Sequence, residues 1–388
     1  MFFYYIMIFL FPFQDHPILS ASILGLTTIK IAGIAATIVA FSEYMIGSSQ
    51  FIASRKVMIP YFAFLLSFFV SSLFNDTAAA LNVSSRFLSV SVLFFTSSIL
   101  LDDSKKIWNV LLVSAVAMDI SSLYAVKQFL HGVPRPGATF GDCNFYAIAA
   151  AFTAGLCLAL GTYQKKHRLF FLGSFVLNAS GVMLSGSRGG FLALTVSVLF
   201  FWYKQKKKMT GAFLLIVAFT ALLVLVPNNM IERFDGEDYG ASQSSGHRLE
   251  ILEAGLHMIK GNPVVGVGPG MFKIKTLDYF ESADMARMAH NSYLEVAAEF
   301  GVLGIFAFLW LCYASVGELM KILQIAEEQN ARMGIILQSL LVAISGYFFG
   351  ALFLSVEYEK VLWLTISTAA VVAAILEKEQ KEDLHSKV

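Results

Sequence analysis

The sequence predicts an all-α, polytopic transmembrane helical bundle of about 12 spans, with both termini cytoplasmic and one long extracytoplasmic loop. Three observations carry the prediction: charge is scarce, apolar runs of spanning length recur, and basic residues alternate from loop to loop. Of 388 residues, 57% are hydrophobic and only 14% charged, with a mean hydropathy of +0.69. A soluble domain carries roughly 25% charged residues, so lipid is the main solvent of this chain. No broad basic face with interleaved aromatics is present, which argues against a nucleic-acid partner.

Helices of roughly 17–25 apolar residues cross a bilayer. Such runs fall at 1–13, 28–49, 57–75, 83–101, 106–129, 144–163, 168–184, 189–203, 210–227, 291–316, 333–355 and 360–377. The first is short and lacks a basic leader or cleavage site, so it reads as a retained helix. The seventh and eighth are short and joined by Ser185-Gly-Ser-Arg-Gly-Gly190, which leaves open a broken or re-entrant pair.

One set of loops holds Arg55-Lys56, Lys105-Lys106, Lys165-Lys166 with Arg168, Lys204 with Lys206 to Lys208, and Lys321 with Arg332. The opposite short loops hold only Arg135, Arg188 and Lys360. Positive charge marks the cytoplasmic side, so residues 227–289 form the outer loop. Arg135 and Arg188 are then exceptions on the outer side; a chance arginine in a short loop is the plain alternative for either. The polar end from Glu377 reads as a solvated cytoplasmic tail. Cys143, Cys157 and Cys312 are too few and too scattered for a disulfide framework or a metal site.

Within the outer loop, Gly246 to Lys260 has helical period. Ile251, Leu252, Gly255, Leu256, Met258 and Ile259 share one arc, and Glu250, Glu253, His257 and Lys260 the opposite one. Arg248 sits at the centre of the apolar arc, turned toward protein or headgroups; snorkelling to lipid phosphates is the alternative. Asn262-Pro-Val-Val-Gly-Val-Gly-Pro-Gly270 follows as a breaker-rich turn, with no preceding strand to make it a dinucleotide loop.

His290-Asn-Ser-Tyr-Leu-Glu-Val-Ala-Ala-Glu-Phe-Gly301 opens the tenth span. Asn291, Glu295 and Glu299 recur at i, i+4 and i+8 on one face, with His290 at the helix mouth. An ionisable group two turns into a span is expensive and usually functional, and a histidine there titrates near neutral pH, as a general base must. Asp119, in the fifth span, reads either as part of a relay or as an interhelical hydrogen bond.

Together these stretches resemble the O-antigen ligase / O-antigen polymerase family of bacterial membrane glycosyltransferases. The matching motifs are Arg135-Pro-Gly-Ala-Thr-Phe-Gly with Asn144, Ser185-Gly-Ser-Arg-Gly-Gly190, Arg248-Leu-Glu with Asn262 to Gly270, and His290-Asn-Ser-Tyr-Leu with Glu299-Phe-Gly. On this reading, residues 1–129 are N-terminal transmembrane helices, 130–355 the ligase/polymerase-like core, and 356–388 the last span with its tail. The resemblance implies lipopolysaccharide or surface-polysaccharide biosynthesis at the outer face of the bacterial cytoplasmic (inner) membrane. The donor would be an undecaprenyl-diphosphate-linked glycan, and the acceptor hydroxyl would belong to a glycan, lipid A-core or a protein. Carried over by motif, His290 matches the family's essential histidine, and Arg188 and Arg248 its outer arginines; Arg135 and Glu299 match less securely.

Residue chemistry stands beside the resemblance. A lipid diphosphate leaving group concentrates negative charge, which arginine forks bind in bidentate fashion. Arg188 and Arg248 on the diphosphate and His290 on the acceptor hydroxyl make a metal-independent scheme needing no cofactor, with Arg135, Asn291, Glu295 and Glu299 as substrate-binding candidates. The outer segments hold no Asp-x-Asp pair, and Asp235-Gly-Glu-Asp238 reads as solvated charge. The rival readings are a secondary transporter or lipid-linked glycan exporter, and a non-catalytic envelope scaffold.

Overall fold

The structure is a computed structural model describing residues 1–16, 22–23, 26–75, 77–205, 239–279, 288–329 and 331–386, with backbone alone at 22–23, 77–85, 239–247, 324–325, 327–329 and 380–386. Its helices are α1 Phe2–Phe9, α2 Thr28–Met45, α3 Arg55–Phe74, α4 Thr77–Leu100, α5 Ser104–Leu130, α6 Cys143–Tyr163, α7 Arg168–Leu184 and α8 Arg188–Lys204. Then come α9 Tyr239–Gly261, α10 Phe272–Lys275, α11 Ser292–Gln329, α12 Ala331–Gly350 and α13 Lys360–Ser386. A two-residue hairpin, Ser22–Ile23 against Leu26–Thr27, is the one sheet among the described residues.

Seven of the described helices are long and apolar enough to cross a membrane: α2, α3, α5, α6, α12, the Ser292–Leu323 part of α11 and the Lys360–Glu379 part of α13. The shorter apolar stretches Arg86–Leu100 and Arg168–Leu184 accompany them. The expected span at 1–13 is corrected. Phe2–Phe9 is an 8-residue helix, about 12 Å long at 1.5 Å per residue, and a 3-10 turn at Phe11–Phe13 containing Pro12 ends it. Tyr4 nevertheless reaches into the bundle and hydrogen-bonds Ser97 at 2.7 Å. The expected span at 210–227 and the acidic stretch at Asp235 lie outside the described residues.

The bundle is built around α6, whose small residues let its neighbours approach. From Tyr146 to Gly161 every residue of α6 is buried, and α7, α8 and α12 pack against it. Gly190 lies so close to Ala147 that an added Cβ would meet the alanine Cβ at 2.4 Å. The expected seventh and eighth spans are helices of 17 residues each, α7 and α8. Asp119 resolves toward hydrogen bonding between helices: its Oδ1 accepts from Ser174 at 2.6 Å and from Asn178 at 2.7 Å, joining α5 to α7.

The tenth span departs most from a plain helix. Residue 301 has φ 63° and ψ −159°, so α11 is two helices joined at a kink. The glycine-rich stretch after α9 fills that break. Val267 and Gly268 donate to the carbonyls of Ala298 and Glu299 at 2.8 and 3.1 Å, while Val302 donates to the Pro263 carbonyl at 2.8 Å. Backbone groups that the kink would leave bare at membrane depth are thus satisfied by another segment of backbone, as a low-dielectric surround demands.

Candidate active site at the α7–α8, α9 and α11 ends

Each functional side chain is fixed by local backbone chemistry. Asp142 caps α6 by accepting from the Asn144 and Phe145 amides at 2.7 and 3.1 Å. Ser187 caps α8 through the Gly190 amide and donates to Asn144 Oδ1 at 2.9 Å. The starts of α6 and α8 are therefore tied together, which places Arg188 in the first turn of α8. Arg135 lies over Gly186, itself at φ +65°, and donates from Nε to the Ser185 carbonyl at 3.4 Å.

Arg248 approaches from the other side. The buried face of α9 is Ile251, Ala254, Gly255 and Met258, whereas Leu252 and Leu256 are exposed. This corrects the expected arc by a rotation toward Ala254, because α9 packs on protein rather than lying flat on lipid. Its partners are Val267, Phe272, Ala289 and Leu294 in a second apolar cluster. Gly255 permits the contact, since a Cβ there would stand 2.9 Å from the Leu294 side chain. Two turns earlier on the same face, Arg248 is half-buried.

Burial, then the charge of Arg188, then that of Arg135 press the Arg248 pKa below its ordinary value. Three guanidiniums from three separate segments thus share one region. No carboxylate pairs with any of them among the described residues. A guanidinium does not lose its proton at any relevant pH, so the mutual repulsion stands until an anion offsets it.

His290 is half-buried and held at φ 50°, a left-handed conformation that few non-glycine residues adopt. The surrounding peptide is pinned on both sides. The Ala289 amide donates to Glu295 at 3.3 Å, and the Ser355 hydroxyl donates to the same carboxylate oxygen. The Ser292 amide donates to the carbonyls of Ala351 and Leu354 at 2.9 and 3.1 Å. Asn291 Oδ1 caps α11, accepting from the Tyr293 and Leu294 amides at 3.0 Å each.

Glu295 and Glu299 face inward, 6% and 1% exposed. Glu299 Oε1 accepts from the Phe272 amide and Oε2 from the Tyr358 hydroxyl, both at 3.1 Å. Both glutamates therefore hold loops through these bonds. Sequence reading missed their third companion, Glu357, in the turn before α13. It is 2% exposed, and among the described residues its two carboxylate oxygens meet no hydrogen-bond partner, the nearby Ser292 hydroxyl donating to Leu354 instead. Burial first, then Glu295 and Glu299, push its pKa well above the usual carboxylate range. The signal available in the sequence was Glu357-Tyr-Glu359 at the mouth of the last span.

Fold and site together define a polytopic helical membrane protein in which three arginines converge with no paired carboxylate among the described residues and a histidine is fixed by its backbone. Residues 173–309 match the family model described as O-Antigen ligase, over part of the region where the motifs resemble that family. The match takes in Arg188, Arg248, the glycine-rich stretch and His290, and begins after Arg135. A curated protein of Haemophilus influenzae, described as an uncharacterized protein, is 24% identical over 295 residues, covering 69% of this chain and 73% of its own. The family supports a bacterial membrane glycosyltransferase of the ligase or polymerase type in general.

Proposed function

We propose that the protein transfers a glycan from undecaprenyl diphosphate to an acceptor hydroxyl at the outer face of the cytoplasmic membrane. The observation that carries this reading is the convergence of Arg248 with Arg188 and Arg135, with no paired carboxylate among the described residues. Such a site suits a ligand of concentrated negative charge, and on the outer face a sugar donor is lipid-linked, because nucleotide sugars stay in the cytoplasm.

In the proposed step the acceptor oxygen attacks the anomeric carbon while the bond from that carbon to the diphosphate oxygen breaks. The bonding pair leaves with the diphosphate, where the guanidiniums offset the growing charge. The hydroxyl proton passes to His290, whose general-base assistance is worth about 10²–10⁴-fold. One displacement with one base inverts the anomeric configuration. Glu295 acts as a positioning residue, holding the Ala289 amide that precedes the histidine. The scheme needs no metal, since fixed arginines carry the neutralisation.

The test is reconstitution of the purified protein with an undecaprenyl-diphosphate-linked repeat unit, with products resolved on a gel. A ladder without added acceptor makes the protein a polymerase. Transfer only on adding lipid A-core or a protein acceptor makes it a ligase or a protein glycosyltransferase. Movement of intact donor across the bilayer, with no new glycosidic bond under any acceptor, overturns the reading in favour of a transporter.

A further inference from the structure

Two cavities that the arginine site does not use meet at the outer ends of α2 and α4. One, of about 390 Å³, is an apolar groove walled by residues such as Met7, Ile34, Ile38, Leu88 and Val92. The other, of about 420 Å³, is polar and holds Lys30, Arg86 and Lys360 together with Asp15 and Glu359. Ile29, Lys30, Ser89 and Lys360 line both, so the two spaces adjoin.

The depth of the basic groups is the unusual feature. Arg86 lies about 21 Å along α4 from Leu100 and Lys30 about 22 Å along α2 from Met45, at 1.5 Å per residue. The hydrocarbon core is about 30 Å thick, so with those far ends at one boundary both charges fall short of the other. A cation at that depth is costly and marks a ligand path unless it is paired. Among the described residues no ion pair engages Lys30 or Arg86. Arg86 lies 5.9 Å over the Tyr358 ring, and Lys360 donates to Gln14. Three basic side chains against two acids leave the pocket net basic.

We propose that the two cavities form one site for a polyprenyl phosphate, separate from the arginine site, with the chain in the α2–α4 groove and the phosphate on Lys30, Arg86 and Lys360. A narrow apolar groove opening into a basic pocket matches one chain with one anionic head. Met288, two residues before His290, lines the polar cavity. A lipid-linked glycan seated there would have its head beside the segment that leads into His290. The choice of a polyprenyl chain rests on the proposed function; the lipid-phosphate chemistry does not.

The experiment measures binding of undecaprenyl phosphate to the full-length protein in detergent, in an Arg188→Ala/Arg248→Ala background that disables the arginine site. Saturable binding should remain there. Adding Lys30→Gln and Arg86→Gln should weaken it at least about tenfold, whereas Arg86→Lys, which keeps the charge but not the fork, should recover part of that loss. Gly33→Trp, which fills the groove beside Met7, should weaken it as well. All variants are compared at equal thermal stability and monodispersity. Loss of all binding in the starting background, or no effect of the Lys30/Arg86 pair, overturns the site. Equal displacement by a two-chain phosphatidylglycerol overturns the polyprenyl assignment, and full displacement by inorganic phosphate with no effect of Gly33→Trp overturns the groove. Transfer activity is not read, so failure here is distinct from failure of the proposed function.

Discussion

A Cβ built on Gly266 would stand 2.3 Å from the carbonyl carbon of Glu299. That contact is where the outer loop enters the broken helix α11, and Gly266 holds φ +72° to make it. Gly266→Ala therefore meets both a steric clash with backbone and a left-handed conformation. It is expected to cost roughly 2–4 kcal/mol, read as a lowered melting temperature in detergent. Melting within error of the wild type would mean that the loop does not brace the kink.

Arg248 carries an interaction that lysine does not reproduce, because a fork and a point charge bind phosphate oxygens differently. Arg248→Ala and Arg188→Ala are each expected to lower transfer by about 10²–10³-fold while melting near the wild type. Arg248→Lys should recover only part of the loss. Removing one guanidinium also relieves repulsion on its neighbours, so neither variant should be destabilised.

Glu299 gives a contrasting outcome. Its oxygens hold the Phe272 amide and the Tyr358 hydroxyl, so Glu299→Ala leaves buried donors without acceptors. The expected cost is about 2–4 kcal/mol, and Tyr358→Phe should cost about 1 kcal/mol. Per folded molecule, Tyr358→Phe should keep near-normal transfer; a large loss in a fully folded sample would instead make the hydroxyl part of the chemistry.

Glu357 sets a pH dependence. Below the usual carboxyl pKa of about 4.3 both folded and unfolded chains hold the proton. Above it the unfolded chain ionises, while the buried side chain keeps its proton up to its raised pKa. Each pH unit in that window costs the folded state about 1.4 kcal/mol. Glu357→Gln cannot ionise. It should melt with the wild type near about pH 5 and above it near about pH 8. Parallel curves across that range would show that Glu357 is not the buried neutral acid described.

The sequence made the arginines legible because they break the alternation of basic loops, and it made Arg248 legible because it stands alone on an apolar arc. His290 was legible from its place at a helix mouth. The capping role of Asn291 was not legible, since spacing at i and i+4 to Glu295 describes a helix face but not which residue caps the helix. Glu299 was found as an intramembrane carboxylate, yet its partners Phe272 and Tyr358 lie 27 and 59 residues away, beyond any local pattern. The kink at Gly301 was invisible for a similar reason: its missing hydrogen bonds are supplied by Pro263 and Val267. Lys30, Arg86 and Lys360 come from three spans, and only their assembly turns isolated intramembrane charges into one pocket.

The central claim is that His290 takes the acceptor proton while the arginines hold the donor. The most direct measurement compares wild type with His290→Ala in the reconstituted transfer assay, alongside donor binding and melting. Transfer should fall about 10²–10⁴-fold, with donor affinity and stability unchanged and with the wild-type acid limb missing from the pH profile. Full transfer by a folded His290→Ala protein would contradict the account, and so would a loss explained entirely by weakened donor binding.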